Sequence, residues 1–225
     1  MSTAIGFRIF KIARRPDKRL VAEFARQVTP HLSDSMQRLY SASAELRPMH
    51  KGGTMAGGAF TVKTRQGDNL LVHKALDMAR PGDVVVVDAG GSLEHAIIGE
   101  LMSARAAQRG IAGLVIWGAI RDSAEIAQGR FPVYARGVTH RGPYKDGPGE
   151  INVPVSIGGL VVNPGDIVVG DADGLVAVPL AHARDILRSA QAIRAKETVS
   201  MKEIRSGKVD RSWVNKSLAQ KGYKV

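Results

Sequence analysis

The residues best suited to chemistry in this chain are Glu100, Arg121 and Asp122, spaced as an acid, twenty residues, then Arg-Asp. Mg²⁺ takes oxygen ligands, uses few protein carboxylates and keeps several of its waters. Asp122 suits a direct ligand to such an ion, and Glu100 a ligand acting through water. Arg121 offers a planar fork that holds a carboxylate or a developing oxyanion through two parallel bonds, a geometry lysine does not match. The run Gly99-Glu100-Leu101-Met102 adds a helix start. There the Leu101 and Met102 N–H groups lack intrahelical partners, and the helix dipole favours an anion such as a substrate carboxylate. An isolated Arg-Asp pair is ordinarily a surface salt bridge with a turn-capping aspartate. Position sets this one apart.

These groups belong to residues 82–122, which read strand, loop, helix, strand. Val84–Val87 and Leu114–Trp117 are short apolar runs bounded by turn residues, as buried strands are. Leu101–Arg109 has helical spacing and stops at Gly110. A connection of this length suits a parallel crossover, and ligands collect beyond the carboxyl ends of such strands. Asp88 with Gly90-Gly91 follows the first strand, and Arg121-Asp122 follows the second. Upstream, Leu20–Val28 reads as a helix closed by Pro30, and Ser33-Asp34-Ser35 as the cap of a short helix through Tyr40. Ala59–Val62 reads as a strand entered through Gly57-Gly58, where backbone passes close to another group, and Asn69–Arg80 as a helix. Downstream come a helical piece at Ser123–Ala127, a strand at Phe131–Ala135 and a Gly- and Pro-rich loop over 136–150. Residues 151–178 hold four short β runs separated by turns, which suggests an all-β unit and two packed sheets with helices outside. Ala181–Arg205 is a long helix. The tail 208–225 carries Trp213, Leu218 and Tyr223 and is expected to dock on the body or on a neighbour. No repeat or long linker divides the chain, so one domain is expected over 1–225, with a core of about 20–180 and a C-terminal helix and tail over 181–225.

Composition narrows the function classes. There is no cysteine, which excludes disulfides, thiolate metal sites and a catalytic cysteine. A reducing cytoplasm fits this. No apolar run approaches a membrane span, and no signal peptide is expected. The net charge of +11 raises nucleic-acid binding, but its distribution argues against it. Residues 1–20 carry +5 and residues 181–225 carry +7, while the 160 residues between them carry −1. Aromatic residues are 5%, too few for a stacking platform. The basic first twenty residues, interleaved with apolar ones, read as an edge strand or arm rather than a transit peptide. Gly90-Gly91 lacks the G-x-G-x-x-G and G-K-[ST] patterns of nucleotide loops, and no G-x-S-x-G elbow occurs. Asp171–Gly174 begins like a calcium loop without its downstream spacing and is read as a β-turn with Asx bonds. His73 is placed on a helix as a buried, satisfied residue, His95 behind Glu100, and His140 in the loop.

The segments PGDVVVVDAGG, GELM, IWGAIRD, PVYARGVTHRGP and NPGDIVVGDADGLVAVP together resemble the RraA-like family, which includes the 4-hydroxy-4-methyl-2-oxoglutarate/4-carboxy-4-hydroxy-2-oxoadipate aldolases. They follow the family's order from residue 33 to about 180. The resemblance implies an α/β fold of the swivelling β/β/α type, a homotrimer or homohexamer with sites near subunit interfaces, and Mg²⁺ or Mn²⁺ as cofactor. It implies a class II pyruvate aldolase acting on a small oxo acid, with oxaloacetate decarboxylation as companion activity and aromatic-acid breakdown as the setting. The family's metal-binding aspartate falls on Asp122, its substrate arginine on Arg121 and its water-mediated acid on Glu100. The amides that hold pyruvate fall on Leu101 and Met102, next to Gly99. A further acid acting through water falls on Glu197, with Glu203 the alternative. One position departs from the pattern. The family's aldolases carry Asp at this position; this chain has Glu100, the residue type found in the regulators of ribonuclease E, and the extra methylene displaces the carboxylate by ~1.5 Å. The alternative function is therefore a non-catalytic regulator of ribonuclease E. A quinone-precursor methyltransferase is a third option, disfavoured because no S-adenosylmethionine loop is present.

Overall fold

The computed structural model describes residues 4–224. In chain order the elements are α1 (Lys18–Phe24), α2 (Thr29–Ser35), β1 (Arg47–Pro48), β2 (Met55–Thr64), α3 (Leu70–Met78), β3 (Asp83–Asp88), β4 (Ala96–Ile98), α4 (Glu100–Gln108), β5 (Gly113–Ile120), α5 (Ser123–Gln128), β6 (Val133–Val138), β7 (Gly149–Ile151), β8 (Val155–Ile157), β9 (Leu160–Val162), β10 (Ile167–Gly170), β11 (Leu175–Val178), α6 (Ala183–Arg205) and α7 (Ser212–Gln220). Nine strands form one mixed sheet in the order β1-β6-β5-β3-β2-β10-β11, with β4 beside β5 and β7 beside β2; β8 and β9 pair separately. The centre, β2-β3-β5-β6, is parallel.

Side chains alternate between the sheet faces, so each central strand feeds two cores. Phe60, Val62, Val85, Val87, Leu114 and Ile116 share a cluster with Val72 and Leu76 of α3 and Met102 and Ala106 of α4. Ala59, Val84, Val86 and Val115 pack with Val155, Ile157, Leu160 and Val162 of the β8–β9 pair. Burial on both faces explains why Val84–Val87 is a continuous apolar run. A third cluster joins Phe24 and Leu32 to Val169, Val176 and Leu187, fixing α1, α2 and the first turns of α6 against β10 and β11.

Several expectations are corrected. Two sheets do pack, but unequally: β8–β9 alone make the second, while β2 pairs in parallel with β3 and antiparallel with β10, which joins the α/β part and the rest of the β-only part into one sheet. Ser33-Asp34-Ser35 ends α2 rather than capping a helix through Tyr40. Pro30 lies in the first turn of α2, where its missing N–H costs nothing. The cap comes from a distant residue, because the Thr29 N–H and hydroxyl both donate to the Asp171 carboxylate at 2.7 Å. Asp171 also accepts from the Asp173 N–H at 2.9 Å, the Asx bond expected of that turn. The loop over 136–150 is partly strand, since β6 runs to Val138 and β7 begins at Gly149. Of the two arrangements expected for the tail, docking on the body does not occur for Trp213 and Tyr223, each 63% exposed. The cause is α6, whose 23 residues span about 35 Å and carry the tail past the body.

The N-terminal segment is an arm, as expected. Ile9 bridges Ile151, Phe10 N–H donates to the Ile151 carbonyl at 3.0 Å, and the Arg8 guanidinium grips Glu150. That guanidinium holds the Glu150 carboxyl below the usual carboxylate range.

The close approach anticipated at Gly57-Gly58 is real. A Cβ at Gly57 would stand 2.4 Å from the Gly82 carbonyl oxygen and 2.8 Å from Val84 Cγ2. Backbone cannot swing aside as a side chain does. Gly57→Ala is expected to destabilise the fold by ~1–3 kcal/mol, read as a lower urea midpoint with an unchanged slope.

Candidate functional site

At the carboxyl ends of β4 and β5 lies a cleft of about 300 Å³, lined by Asn69, His73, Ile97, Ile98, Gly99, Leu101, Met102, Arg121, Asp122, Gly142, Pro143 and Lys145. The parallel pairing of β4 with β5 brings the two strand ends together, and Arg121 N–H donates to the Ile98 carbonyl at 3.0 Å. Asp122 then turns the chain in the left-handed region, φ 55° and ψ 41°, and starts α5. Non-glycine residues adopt this conformation sparingly, mostly Asn and Asp. Its Oδ2 accepts the Glu100 N–H at 2.9 Å and so caps α4 from outside the helix. This contact requires Gly99. A Cβ there would lie 2.2 Å from Asp122 Oδ2 and 3.0 Å from Arg121 Cγ.

The first helical bond of α4 runs from Ser103 N–H to the Gly99 carbonyl at 3.1 Å, and the Ser103 hydroxyl donates to the same oxygen at 3.0 Å. The Leu101 and Met102 amides precede that bond and stand free of the helix ladder at the cleft wall. Arg121 Nε is 3.7 Å from Asp122 Oδ2, with the two side chains 45% and 38% exposed. The loop after β6 runs alongside the guanidinium, since a side chain at Gly142 would meet Arg121 Nη1 at 3.4 Å. Lys145 brings a second cation to the cleft.

Five of the expected site residues therefore converge: Gly99, Leu101, Met102, Arg121 and Asp122. Glu100 and Glu197 do not join them. The Glu100 side chain lines a neighbouring groove with Ser103, Ala104, Ala107, Glu125 and Phe131. Glu197 lies on the exposed part of α6, where its Oε2 meets His31 Nε2 at 2.7 Å. Among the described residues no group of three His, Asp or Glu side chains converges as an enclosing metal cage. Asp122 does fit a hydrated divalent ion. Its carboxylate is partly open to the cleft, and among the described residues only Oδ2 is engaged in a hydrogen bond. Mg²⁺ bound with most of its waters needs little more from the protein.

His73, expected on a helix as a buried, satisfied residue, is on α3 but only half-buried, and it lines the cleft. Burial lowers its pKa from the ordinary 6.5, and the nearby Lys145 and Arg105 cations lower it further against a smaller opposing pull from Asp77. Asn69 was not singled out. It is buried, its amide nitrogen donates to the Ile97 carbonyl at 2.9 Å, and its Oδ1 has no partner among the described residues. The helical period of α3 marked the buried face but not which polar residues end beside α4.

Residues 29–177 match the RraA-like family, described as Aldolase/RraA. The chain belongs to this family. A Halalkalibacterium halodurans protein called "putative 4-hydroxy-4-methyl-2-oxoglutarate aldolase" is 39% identical over 171 residues, spanning 76% of this chain and 81% of the relative. Among solved structures, Streptomyces coelicolor RraAS2, titled an unusual member of the RNase ES inhibitor RraA protein family, matches with a TM-score of 0.75 and 30% identity over 84% of this chain and 98% of that one. The RNA-processing inhibitor RraA from Thermus thermophilus matches with a TM-score of 0.63 and 34% identity over 68% and 92%. The mixed sheet, curled as half a barrel, and the long C-terminal helix make up the RraA-like fold that was expected.

Two measurements check this site. Gly99→Ala should displace the Asp122 carboxylate, and, if that carboxylate holds the hydrated divalent ion it fits, weaken Mg²⁺ binding about tenfold, while far-UV circular dichroism stays unchanged. His73 should titrate below 6.5 by NMR, and Lys145→Ala should raise its midpoint. The unfolded chain takes up this proton first as pH falls, so His73 lowers stability from pH 6.5 downward through its reduced folded-state value.

Proposed function

We propose that this protein is a divalent-metal-dependent lyase. It cleaves a 4-hydroxy-2-oxo acid, such as 4-hydroxy-4-methyl-2-oxoglutarate or 4-carboxy-4-hydroxy-2-oxoadipate, to pyruvate, and also decarboxylates oxaloacetate. The observation that carries this reading is the convergence of Arg121, Asp122 and the α4 amides on one cleft. The aldolase name given to relatives supports it.

Asp122 would hold Mg²⁺ or Mn²⁺ with water completing the shell. The ion would supply a Lewis acid for the 2-oxo end of the substrate. The Leu101 and Met102 amides receive the substrate's 1-carboxylate at the positive end of α4. Arg121 faces the 2-oxygen and meets the negative charge that grows there as the C3–C4 bond breaks. Lys145, across the cleft, attracts the carboxylate at the far end of a dianionic substrate. His73 is neutral near pH 7 and lines the cleft, so we assign it the C4 hydroxyl proton. Electrons from that O–H bond form the new carbonyl, and those of the C3–C4 bond pass to C2–C3. The pyruvate fragment then takes a proton at C3. Loss of CO₂ from oxaloacetate follows the same electron path and needs no hydroxyl proton removed.

A Mg²⁺-dependent pyruvate-release assay on these two hydroxy-oxo acids and oxaloacetate tests the reading. Arg121→Ala should lower kcat/KM by about 10²–10³ on every substrate. His73→Gln should lower kcat for aldol cleavage by about 10² or more, and oxaloacetate decarboxylation far less. Equal loss on both would remove His73 from the proton step, and unchanged turnover in Arg121→Ala would reject the site. A homotrimer or hexamer, with the exposed α7 arm docked on a neighbour, is our expectation for light scattering.

The second reading is a regulator that binds ribonuclease E, favoured by Glu100, by its place in the neighbouring groove, and by the inhibitor names of the solved relatives. The net charge of +11 opposes it, because a basic surface repels a basic RNA-binding partner. Capture of purified ribonuclease E together with no pyruvate release would favour it.

A further inference from the structure

Asp68 is fully buried and does not line the cleft, yet it stands one residue before Asn69 at the base of the cleft wall. Its carboxylate accepts three backbone N–H bonds from two segments far apart in sequence. Oδ1 accepts from Leu70 at 3.0 Å, the first residue of α3. Oδ2 accepts from Asp146 at 2.7 Å and Gly147 at 2.9 Å. The Arg65 guanidinium approaches Oδ2 at 3.4 Å from the solvent side. Around this hub the Asn69 N–H donates to the Tyr144 carbonyl at 3.0 Å, and the Tyr144 N–H to the Gly67 carbonyl at 2.8 Å. Both neighbours of Lys145 are therefore clamped, while Lys145 itself lies at the cleft. The other half of the clamp starts the helix that carries His73 and has Asn69 as its N-cap.

A neutral side chain cannot replace this arrangement. Bonds from N–H groups to a carboxylate are markedly stronger than those to a neutral acceptor. Two acceptor oxygens are also needed, one for each segment. An asparagine keeps one oxygen and turns an NH₂ donor toward the N–H groups of the other segment. A buried acid whose three backbone bonds all go to the segments that form the cleft walls is accounted for by that service.

We propose that Asp68 is a positioning residue that holds the His73 wall and the Lys145 wall at a fixed separation, and thereby sets the affinity of the cleft for a dianionic oxo acid. The affinity part rests on the lyase reading above, whereas the clamp itself does not. Asp68→Asn tests both. Limited trypsin digestion with mass spectrometry should show cleavage after Lys145 about tenfold faster than in the wild type, as expected for a released loop. KM for oxaloacetate should rise about tenfold with kcat held within about threefold, and Asp68→Asn should add nothing in a Lys145→Ala background, the signature of coupled residues. Unchanged cleavage after Lys145, or fully additive KM effects, would overturn the proposal. Should Asp68→Asn not fold, hydrogen exchange on the wild type decides. The Asp146 and Gly147 amides should exchange at least about a hundredfold slower than an open loop, and unprotected exchange at both would sink the clamp. If the wild type releases no pyruvate, the lyase reading fails, while the tryptic and exchange results still judge the clamp.

Discussion

The hydrogen bond from the Glu100 N–H to Asp122 Oδ2, 2.9 Å long, ties the start of α4 to the turn after β5, beside strand ends already held by the Arg121 N–H to the Ile98 carbonyl. Asp122 serves two helices at once. Its side chain caps α4, and its carbonyl accepts the Ile126 N–H at 3.1 Å to begin α5. The left-handed backbone at Asp122 is the conformation that lets one residue face both ways, and the bare Cα of Gly99 leaves room for the carboxylate. The order of the cleft follows from this. Once the carboxylate is fixed, Arg121 is aimed beside it and the first amides of α4 are aligned along the wall. A helix end is a weak place to build precise geometry unless its orphan donors are tied down. Here a carboxylate at the cleft ties the first of them.

The sequence made the crossover legible because its signals are local. Val84–Val87, Gly110, the GELM helix start and the Arg-Asp after a strand each lie within a few residues of what they specify. Parallel pairing of strands around a helix then places Arg121 and Asp122 with little freedom. What escaped notice depends on contacts distant in sequence. Asn69, His73 and Lys145 reach the cleft from α3 and the loop before β7, and no periodicity marks residues that meet across such a gap. The three-residue strand β4 is too short for an alternating pattern, although its pairing with β5 sets the cleft floor. The direction of Glu100 was hidden for a related reason. Its backbone N–H is what Asp122 binds, and the first turn of α4 then carries its side chain into the adjoining groove.

The unequal charge distribution also acquires a physical account. At the N-terminus, Arg8 pairs with buried Glu150, and Arg15 forms two bonds of 3.1 Å to buried Asp83. These two cations balance acids of the sheet and fasten the arm, so that part of the local excess is structural. The C-terminal excess differs. Arg194 donates to the Arg26 carbonyl at 3.0 Å near the body, but beyond it α6 and α7 carry their basic residues outward with Val199, Ile204 and Trp213 exposed among them.

The exposed arm has an optical consequence. The chain has two tryptophans. Trp117 is half-buried on β5 beneath the Arg136 guanidinium, 5.2 Å from the ring centroid, whereas Trp213 lies in α7 in contact with water. The two indoles therefore occupy unlike dielectric surroundings. Their emission separates by wavelength and by access to a soluble quencher, so the chain carries one built-in dye on its sheet and another on its arm.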